Sequence, residues 1–308
     1  MQSLETRYDA FTGSSVLIAP HRKAVGIRSE GSLPDVPRER CPFCPGHEKE
    51  TEATLLAIPE SEAWRVRVVG NKYPLTEQHE VLIETQDHDG DFRHYTEEHM
   101  ADIVHALLSR VREHRRRPES AFISIFRNRG RRAGSSQPHP HMQLASLSAV
   151  PEGVLARDAC ARGWQAEHGT NLLAHAIAEA RDEDDGLVHE TADFASFVPY
   201  APHRPYELWV APKFSEAFDR LTDARVNALA RSLLDASQRL HGVLGNADMN
   251  VLFRFGATAH WNTSASFWYV EFAPRMSSGG AGFELSTGMD VLVTSPEDAA
   301  AALREVPL

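Results

Sequence analysis

The sequence has little cysteine and no long apolar segment. Only three of its 308 residues are cysteines, fewer than a secreted scaffold held together by disulfides would need. It has no run of about 18 apolar residues, so no membrane-spanning helix is expected. The N-terminal segment also lacks the basic and then apolar layout of a signal peptide. These absences predict a cytoplasmic protein that does not associate with membranes.

An overall positive charge is also missing. The formal net charge is -11, which argues against a protein that binds the nucleic acid backbone. Four arginines nevertheless cluster within residues 127–132, just before a histidine-rich segment. This cluster could contact a small phosphorylated ligand or could form a solvated face, and the residues alone leave both interpretations open.

One order of elements occurs twice along the chain. Alternating apolar residues predict strands, and a continuous apolar face predicts a helix, in the segments 64–69, 79–84, 96–114 and 121–126. A matching order follows in the segments 194–202, 206–213, 221–242, 249–256 and 266–274. We therefore expect an α+β fold of two similar halves from an internal duplication, with mainly antiparallel sheets and flanking helices. Residues 1–165 would form the first half and 166–308 the second.

The last predicted strands of the two halves differ in chemistry. In the first half, a Gly- and Ser-rich loop leads into His139-Pro140-His141-Met142-Gln143, whereas residues 267–271 of the second half are mostly aromatic. Two histidines at positions i and i+2 of an extended chain project to the same face. The neighbouring prolines lack N–H groups, so this segment should begin a strand. A neutral imidazole is a good nucleophile toward phosphorus, and the first half is therefore predicted to be catalytic.

The second chemical signal is Cys41-Pro42-Phe43-Cys44. Two thiolates at this spacing can chelate one metal ion, and tetrahedral zinc needs two further ligands. The sequence has no second pair of this kind, so histidines would have to complete the site. With 16 histidines present, spacing does not select them. A pair of buried or redox-active cysteines is the alternative interpretation.

Together these segments resemble the galactose-1-phosphate uridylyltransferase family, a branch of the histidine triad superfamily. The stretch from Asn128 to Gln143 carries the Asn, Gly, Ser and His-Pro-His-X-Gln positions of its active-site signature, and the Cys41–Cys44 pair also fits. Further similar segments lie at 19–22, 71–74 and 86–88. The segments 282–288 and 295–300 resemble the branch that includes plant ADP-glucose phosphorylase.

The resemblance implies a role for each matching residue. His141 would attack the α-phosphorus of a nucleotide sugar, Gln143 would hydrogen-bond the transferred phosphate, and Ser136 would contact the leaving phosphate. The residues implied to contact the substrate are Arg22, Asn71, Asn128, Ser135 and Glu284. Those implied to hold one structural zinc ion per chain are Cys41, Cys44, His88 and His139. Other family members hold a second metal with histidines where this chain has Tyr269 and Glu271, so no second metal is expected.

The implied reaction is a double displacement through a covalent nucleotidyl-histidine. A nucleoside monophosphate, expected to be UMP, would move between a nucleotide sugar and a hexose 1-phosphate. The alternatives are a phosphorylase of the ADP-glucose type, with inorganic phosphate as acceptor, and a histidine-triad hydrolase. A non-catalytic nucleotide binder is least favoured, because a binder does not need a nucleophile. The resemblance also implies a homodimer.

Overall fold

The computed structural model describes residues 4–22, 31–182, 185–276 and 281–308. The strands in these ranges are β1 (Glu5–Asp9), β2 (Ser14–Ile18), β3 (Thr54–Ile58), β4 (Val66–Gly70), β5 (Gln78–Ile83), β6 (Phe122–Arg129), β7 (His141–Leu147), β8 (Leu187–Glu190), β9 (Phe194–Phe197), β10 (Leu208–Pro212), β11 (Met249–Phe255), β12 (Trp268–Pro274) and β13 (Asp290–Leu292). The α-helices are α1 (Glu97–Arg115), α2 (Glu152–His168), α3 (Leu172–Asp182), α4 (Asp223–Leu244), α5 (Gly282–Thr287) and α6 (Pro296–Arg304). None of these helices combines the length and the apolar character that crossing a membrane requires.

Ten strands form one antiparallel sheet in the order β3-β4-β5-β7-β6-β11-β12-β10-β9-β8. Reading inward from either edge gives the same sequence of elements, and the two halves meet where β6 pairs with β11. This topology confirms the α+β fold and the internal duplication predicted from the repeat. The expected boundary between residues 165 and 166 falls inside α2, and the division into two domains stays a prediction.

The two long helices, α1 and α4, form because each has an N-cap and one apolar face. The hydroxyl oxygen of Thr96 accepts a hydrogen bond from the His99 N–H, and Thr222 does the same for Arg225. Met100 and Leu107 of α1 and Leu233 of α4 are buried in a core that also contains apolar side chains from the central strands. These helices therefore cover one face of both halves of the sheet.

The opposite face of the sheet is covered by different elements in the two halves. In the second half, apolar side chains of α3 pack against Phe197, Trp209 and Tyr269 of the sheet. In the first half, loop residues from 40 to 52 border the corresponding face and leave a cavity of about 580 Å³. The aromatic residues that replace the histidines in the second half thus pack in an apolar cluster with α3, whereas His141 of the first half borders the cavity.

Part of the N-terminal segment is more regular than the sequence predicts. The sequence predicts no strand before residue 64, but β1 and β2 pair with β13 in a separate three-stranded sheet, and β3 forms one edge of the large sheet. His203, between β9 and β10, connects the small sheet to the large one through two contacts. Its Nε2 lies 3.0 Å from Asp9 Oδ2 and its Nδ1 lies 2.7 Å from Asp290 Oδ2.

Candidate active site

The predicted nucleophile is the first residue of β7. Pro138 and Pro140 precede it, and regular pairing starts only at His141 on the β5 side and at Met142 on the β6 side, as the missing proline N–H groups require. His141 therefore stands at the end of a central strand, where its side chain is buried but borders open space. Only 6% of the residue is exposed.

The hydrogen bonding of His141 determines which ring nitrogen can react. Its Nδ1 lies 2.9 Å from the carbonyl oxygen of His139, which can only accept, so Nδ1 carries the proton and Nε2 keeps its lone pair. Burial lowers the pKa of His141 and the charge of Arg127 lowers it further, against the opposing effect of the His139 carbonyl. A neutral imidazole with a free Nε2 is the form that can attack phosphorus.

His141 borders two cavities, which we call the large and the small cavity. The large cavity, of about 580 Å³, is lined by Ser136, Gln143 and Asn71 among others. The small cavity, of about 220 Å³, is lined by Asn128 and Ser135 as well as by His141. Five of the residues predicted to act in catalysis or to bind substrate thus surround the predicted nucleophile.

Two predicted substrate residues are not brought to His141. Neither Arg22 nor Glu284 is among the described residues that line the two cavities. Arg22 is exposed in a short 3-10 helix just after β2, and the Glu284 carboxylate accepts a hydrogen bond of 3.0 Å from the Ala281 N–H. Their roles in substrate binding stay predictions.

The four predicted metal ligands form one buried cluster. One ligand atom from each of Cys41, Cys44, His88 and His139 lies within 4.8 Å of those from the others. The Cys44 Sγ lies 3.2 Å from Nδ1 of His88 and 3.5 Å from Nδ1 of His139. Sulfur and nitrogen ligands on a tetrahedral zinc ion are separated by about 3.5 Å, because zinc bonds measure about 2.3 and 2.0 Å. The donor set and its spacing fit zinc.

The protonation states also fit a cation at this position. Nε2 of His139 lies 2.8 Å from the carbonyl oxygen of Thr85, so this nitrogen donates and Nδ1 offers a lone pair toward the cluster. Burial lowers the pKa of His139 to about 4, which keeps the ring neutral. Burial and the neighbouring Cys41 raise the pKa of Cys44 to about 12, so a thiolate here needs a bound cation.

The arginine cluster beside the histidine motif is partly structural. The Arg127 guanidinium contacts both carboxylate oxygens of Glu84, at 2.7 and 3.1 Å, and also contacts Asp91. Arg129 pairs with Asp91 at 2.8 Å. Burial raises the pKa of Glu84, and the charge of Arg127 opposes that rise. These two arginines form ion pairs with carboxylates and so stabilise the end of the sheet beside the small cavity.

The sequence interpretation missed two histidines near the site. Nε2 of His79 lies 3.0 Å from Gln143 Oε1, and Nδ1 of His47 lies 2.7 Å from the carbonyl oxygen of Cys41. Alternation within the predicted strand 79–84 does place His79 on the face of Val81. Its contact with Gln143, however, depends on the pairing of β5 with β7 across 64 residues, which local periodicity does not specify.

Comparison with known proteins agrees with this geometry. ADP-glucose phosphorylase of Arabidopsis thaliana is 27% identical over the whole chain and 94% of the relative. The crystal structure of that plant's enzyme with bound ADP-glucose superposes with a TM-score of 0.88 at 28% identity, covering both chains completely. Galactose-1-phosphate uridylyltransferase of Streptomyces lividans is 30% identical over 68% of this chain and 56% of the relative. The chain is thus similar to the galactose-1-phosphate uridylyltransferase family, and over its whole length to the ADP-glucose phosphorylase branch.

The N-terminal domain of the family DUF4931, a domain of unknown function, also matches residues 21–150. This range contains His141 and the four predicted metal ligands. Similarity to the uridylyltransferase family, and within it to the ADP-glucose phosphorylase branch, is what the resemblance of the motifs predicted.

Proposed function

We propose that this chain is a nucleotidyltransferase that moves a nucleoside monophosphate between a nucleotide sugar and a phosphate-bearing acceptor through His141. The observation that supports this most strongly is the buried, neutral imidazole of His141, which lines both cavities and keeps the lone pair of its Nε2. The relatives support the same reaction class, since one is a phosphorylase of ADP-glucose and another a uridylyltransferase.

The chemistry would proceed in two displacements at one phosphorus atom. In the first, Nε2 of His141 forms a bond to the α-phosphorus, the bond from that phosphorus to the bridging oxygen breaks, and sugar 1-phosphate leaves with the electron pair. In the second, a phosphate oxygen of the acceptor bonds to the same phosphorus and the bond to Nε2 breaks. The Nδ1 proton stays on His141 throughout, and the His139 carbonyl stabilises the positive ring of the intermediate.

The surrounding residues would hold the reacting groups. Gln143 and Ser136 line the large cavity next to His141 and would donate hydrogen bonds to the phosphates. A zinc ion bound by Cys41, Cys44, His88 and His139 would supply a structural restraint. His139 also carries the carbonyl that orients His141, so its side chain would anchor this carbonyl from the other side.

The base and the acceptor separate two candidate activities. Phosphorolysis of a nucleotide sugar such as ADP-glucose is favoured by similarity to the plant phosphorylase over the whole length of the chain. Transfer of UMP to a hexose 1-phosphate, the activity expected from the motifs, is the second candidate and is supported by the Streptomyces relative. Both use the same nucleophile. The homodimer and the cytoplasmic location stay predictions.

The two candidates can be separated by following the fate of the donor. ADP-glucose with inorganic phosphate should yield ADP and glucose 1-phosphate if the chain is a phosphorylase. UDP-glucose with galactose 1-phosphate should yield UDP-galactose and glucose 1-phosphate if it is a uridylyltransferase. His141→Gly serves as the control and should abolish either reaction. Turnover with water alone, at the same rate as with either acceptor, would instead identify a hydrolase and contradict both.

A further inference from the structure

We propose that His79 is a positioning residue that fixes the side-chain amide of Gln143, so that its NH2 group faces the large cavity as a hydrogen-bond donor. This inference rests on the proposed function, because the group that would accept this hydrogen bond is the transferred phosphate. His79 lies on β5 and Gln143 on the adjacent strand β7, two residues from direct opposition. Side chains in this diagonal arrangement reach each other on one face of a sheet.

Two backbone N–H groups of the turn between β4 and β5 determine the orientation of the side chains. The N–H of Leu75 donates to Nδ1 of His79 at 3.0 Å. The N–H of Tyr73 donates to Oδ1 of Asn71 at 2.9 Å. A backbone N–H can only donate, so the neutral ring of His79 must carry its proton on Nε2 and Asn71 must present its NH2 group.

Both fixed donors then point at the same atom of Gln143. Nε2 of His79 lies 3.0 Å from Gln143 Oε1, and Nδ2 of Asn71 lies 3.4 Å from it. The two nitrogens are 3.3 Å apart, as expected for two donors that share one acceptor. The shared atom must be the amide oxygen, and the NH2 group of Gln143 is therefore at the other end of the amide.

The orientation of this amide matters because a phosphoryl group is negatively charged. An amide that rotated by half a turn would present its oxygen to the phosphate and repel it, whereas the fixed amide presents a donor before the substrate arrives. The shorter of the two contacts that prevent this rotation comes from His79. Burial lowers the pKa of His79, so the neutral ring that the argument requires persists near pH 7. The adjacent Glu80 is bound to Arg110 and does not compete.

Three variants at this position separate positioning from simple packing. Gln has its amide oxygen and nitrogen about as far apart as the two ring nitrogens of His, and it reaches as far as Nε2. Asn reaches only the position of Nδ1, and Leu offers no polar atom. We expect His79→Leu and His79→Asn to lower kcat for nucleotidyl transfer by roughly 10- to 100-fold with little change in KM for the donor, and His79→Gln to stay within about 3-fold of the unmodified chain.

A double-mutant cycle tests whether His79 acts through Gln143. Gln143→Met removes the donor itself, so adding His79→Leu in that background should lower kcat no further. If the two substitutions together lower kcat by the product of their separate effects, the proposal is overturned. So would a His79→Asn variant that is as active as His79→Gln, because only the latter restores the contact to Gln143.

The tautomer of His79 can be measured without any substrate. Nitrogen-15 NMR of ring-labelled histidine should show His79 with its proton on Nε2, assigned through the signal lost in His79→Gln. A proton on Nδ1 would overturn this inference even if the chain transfers nucleotides. A chain with the expected tautomer and no nucleotidyl transfer from any nucleotide sugar would support the fixed amide and overturn the proposed function instead.

Discussion

Replacing His203 should remove a pH-dependent part of the stability of this protein. The ring stands between the carboxylates of Asp9, at the end of β1, and Asp290, at the start of β13, and so joins the small sheet to the large one. Burial opposes the charged ring, but the hydrogen bonds to Asp290 and Asp9 outweigh it and raise the pKa of His203 from 6.5 to about 10. The charge of the nearby Glu207 acts in the same direction.

The size of the effect follows from this pKa. The difference between 6.5 and about 10 corresponds to at most roughly 4–5 kcal/mol at about 1.4 kcal/mol per unit. The side chain is 26% exposed, and screening by solvent reduces the expected value to about 2–4 kcal/mol. Because the folded-state pKa is raised, this stabilisation is complete below pH 6.5 and is lost as the pH rises to about 10.

Urea unfolding at several pH values provides the assay. The free energy of unfolding of the unmodified chain should exceed that of His203→Gln by about 2–4 kcal/mol at pH 6, and the two should converge near pH 10. His175→Gln is a matched control, because the His175 side chain is 40% accessible and lies 4.0 Å from its carboxylate partner. Other titrating groups are common to both chains and cancel in the difference. A difference between the chains that does not change with pH would refute the reasoning.

Two further predictions concern the site and its support. Cys44→Ser should lower the zinc content from about one ion per chain to none and should also lower the melting temperature. Cys160→Ser leaves the cluster intact and should retain the ion. Equal zinc content in the two variants, measured by elemental analysis, would contradict the assignment. Arg127→Met should lower the free energy of unfolding, measured in urea, by about 3–5 kcal/mol, because it leaves buried carboxylates without their positive partner. Arg116→Met removes only an exposed ion pair and should change this free energy by less than about 1 kcal/mol. Comparable losses in the two arginine variants would show that the buried network contributes little.

Local patterns predicted the elements that have a strong period and a clear cap. Helix α1 begins after Thr96, as expected, and the strand before it and the strand after it lie where alternation placed them. The helices α2 and α3 were not predicted. Helix α2 buries only Val154, Asp158 and Ala161 along its 17 residues, which is too weak an apolar face to recognise in a sequence.

The small sheet was missed for a related reason. Its strands β1 and β2 have five residues each and β13 has three, and its pairing joins the two ends of the chain. Contacts across such a separation in sequence leave no local signal. The same limit applies within the site. The Cys41–Cys44 spacing indicated a metal, but spacing alone did not select His88 and His139, which needed either the family resemblance or the fold.

The central claim is that His141 carries the nucleoside monophosphate, and intact-mass spectrometry tests it most directly. The protein would be incubated briefly and separately with ADP-glucose and UDP-glucose, without an acceptor. We expect a mass increase equal to AMP or UMP with one donor, which disappears when inorganic phosphate or a sugar 1-phosphate is added and does not form in His141→Gly. Turnover of a donor without any adduct, or an adduct that persists in His141→Gly, would contradict the account.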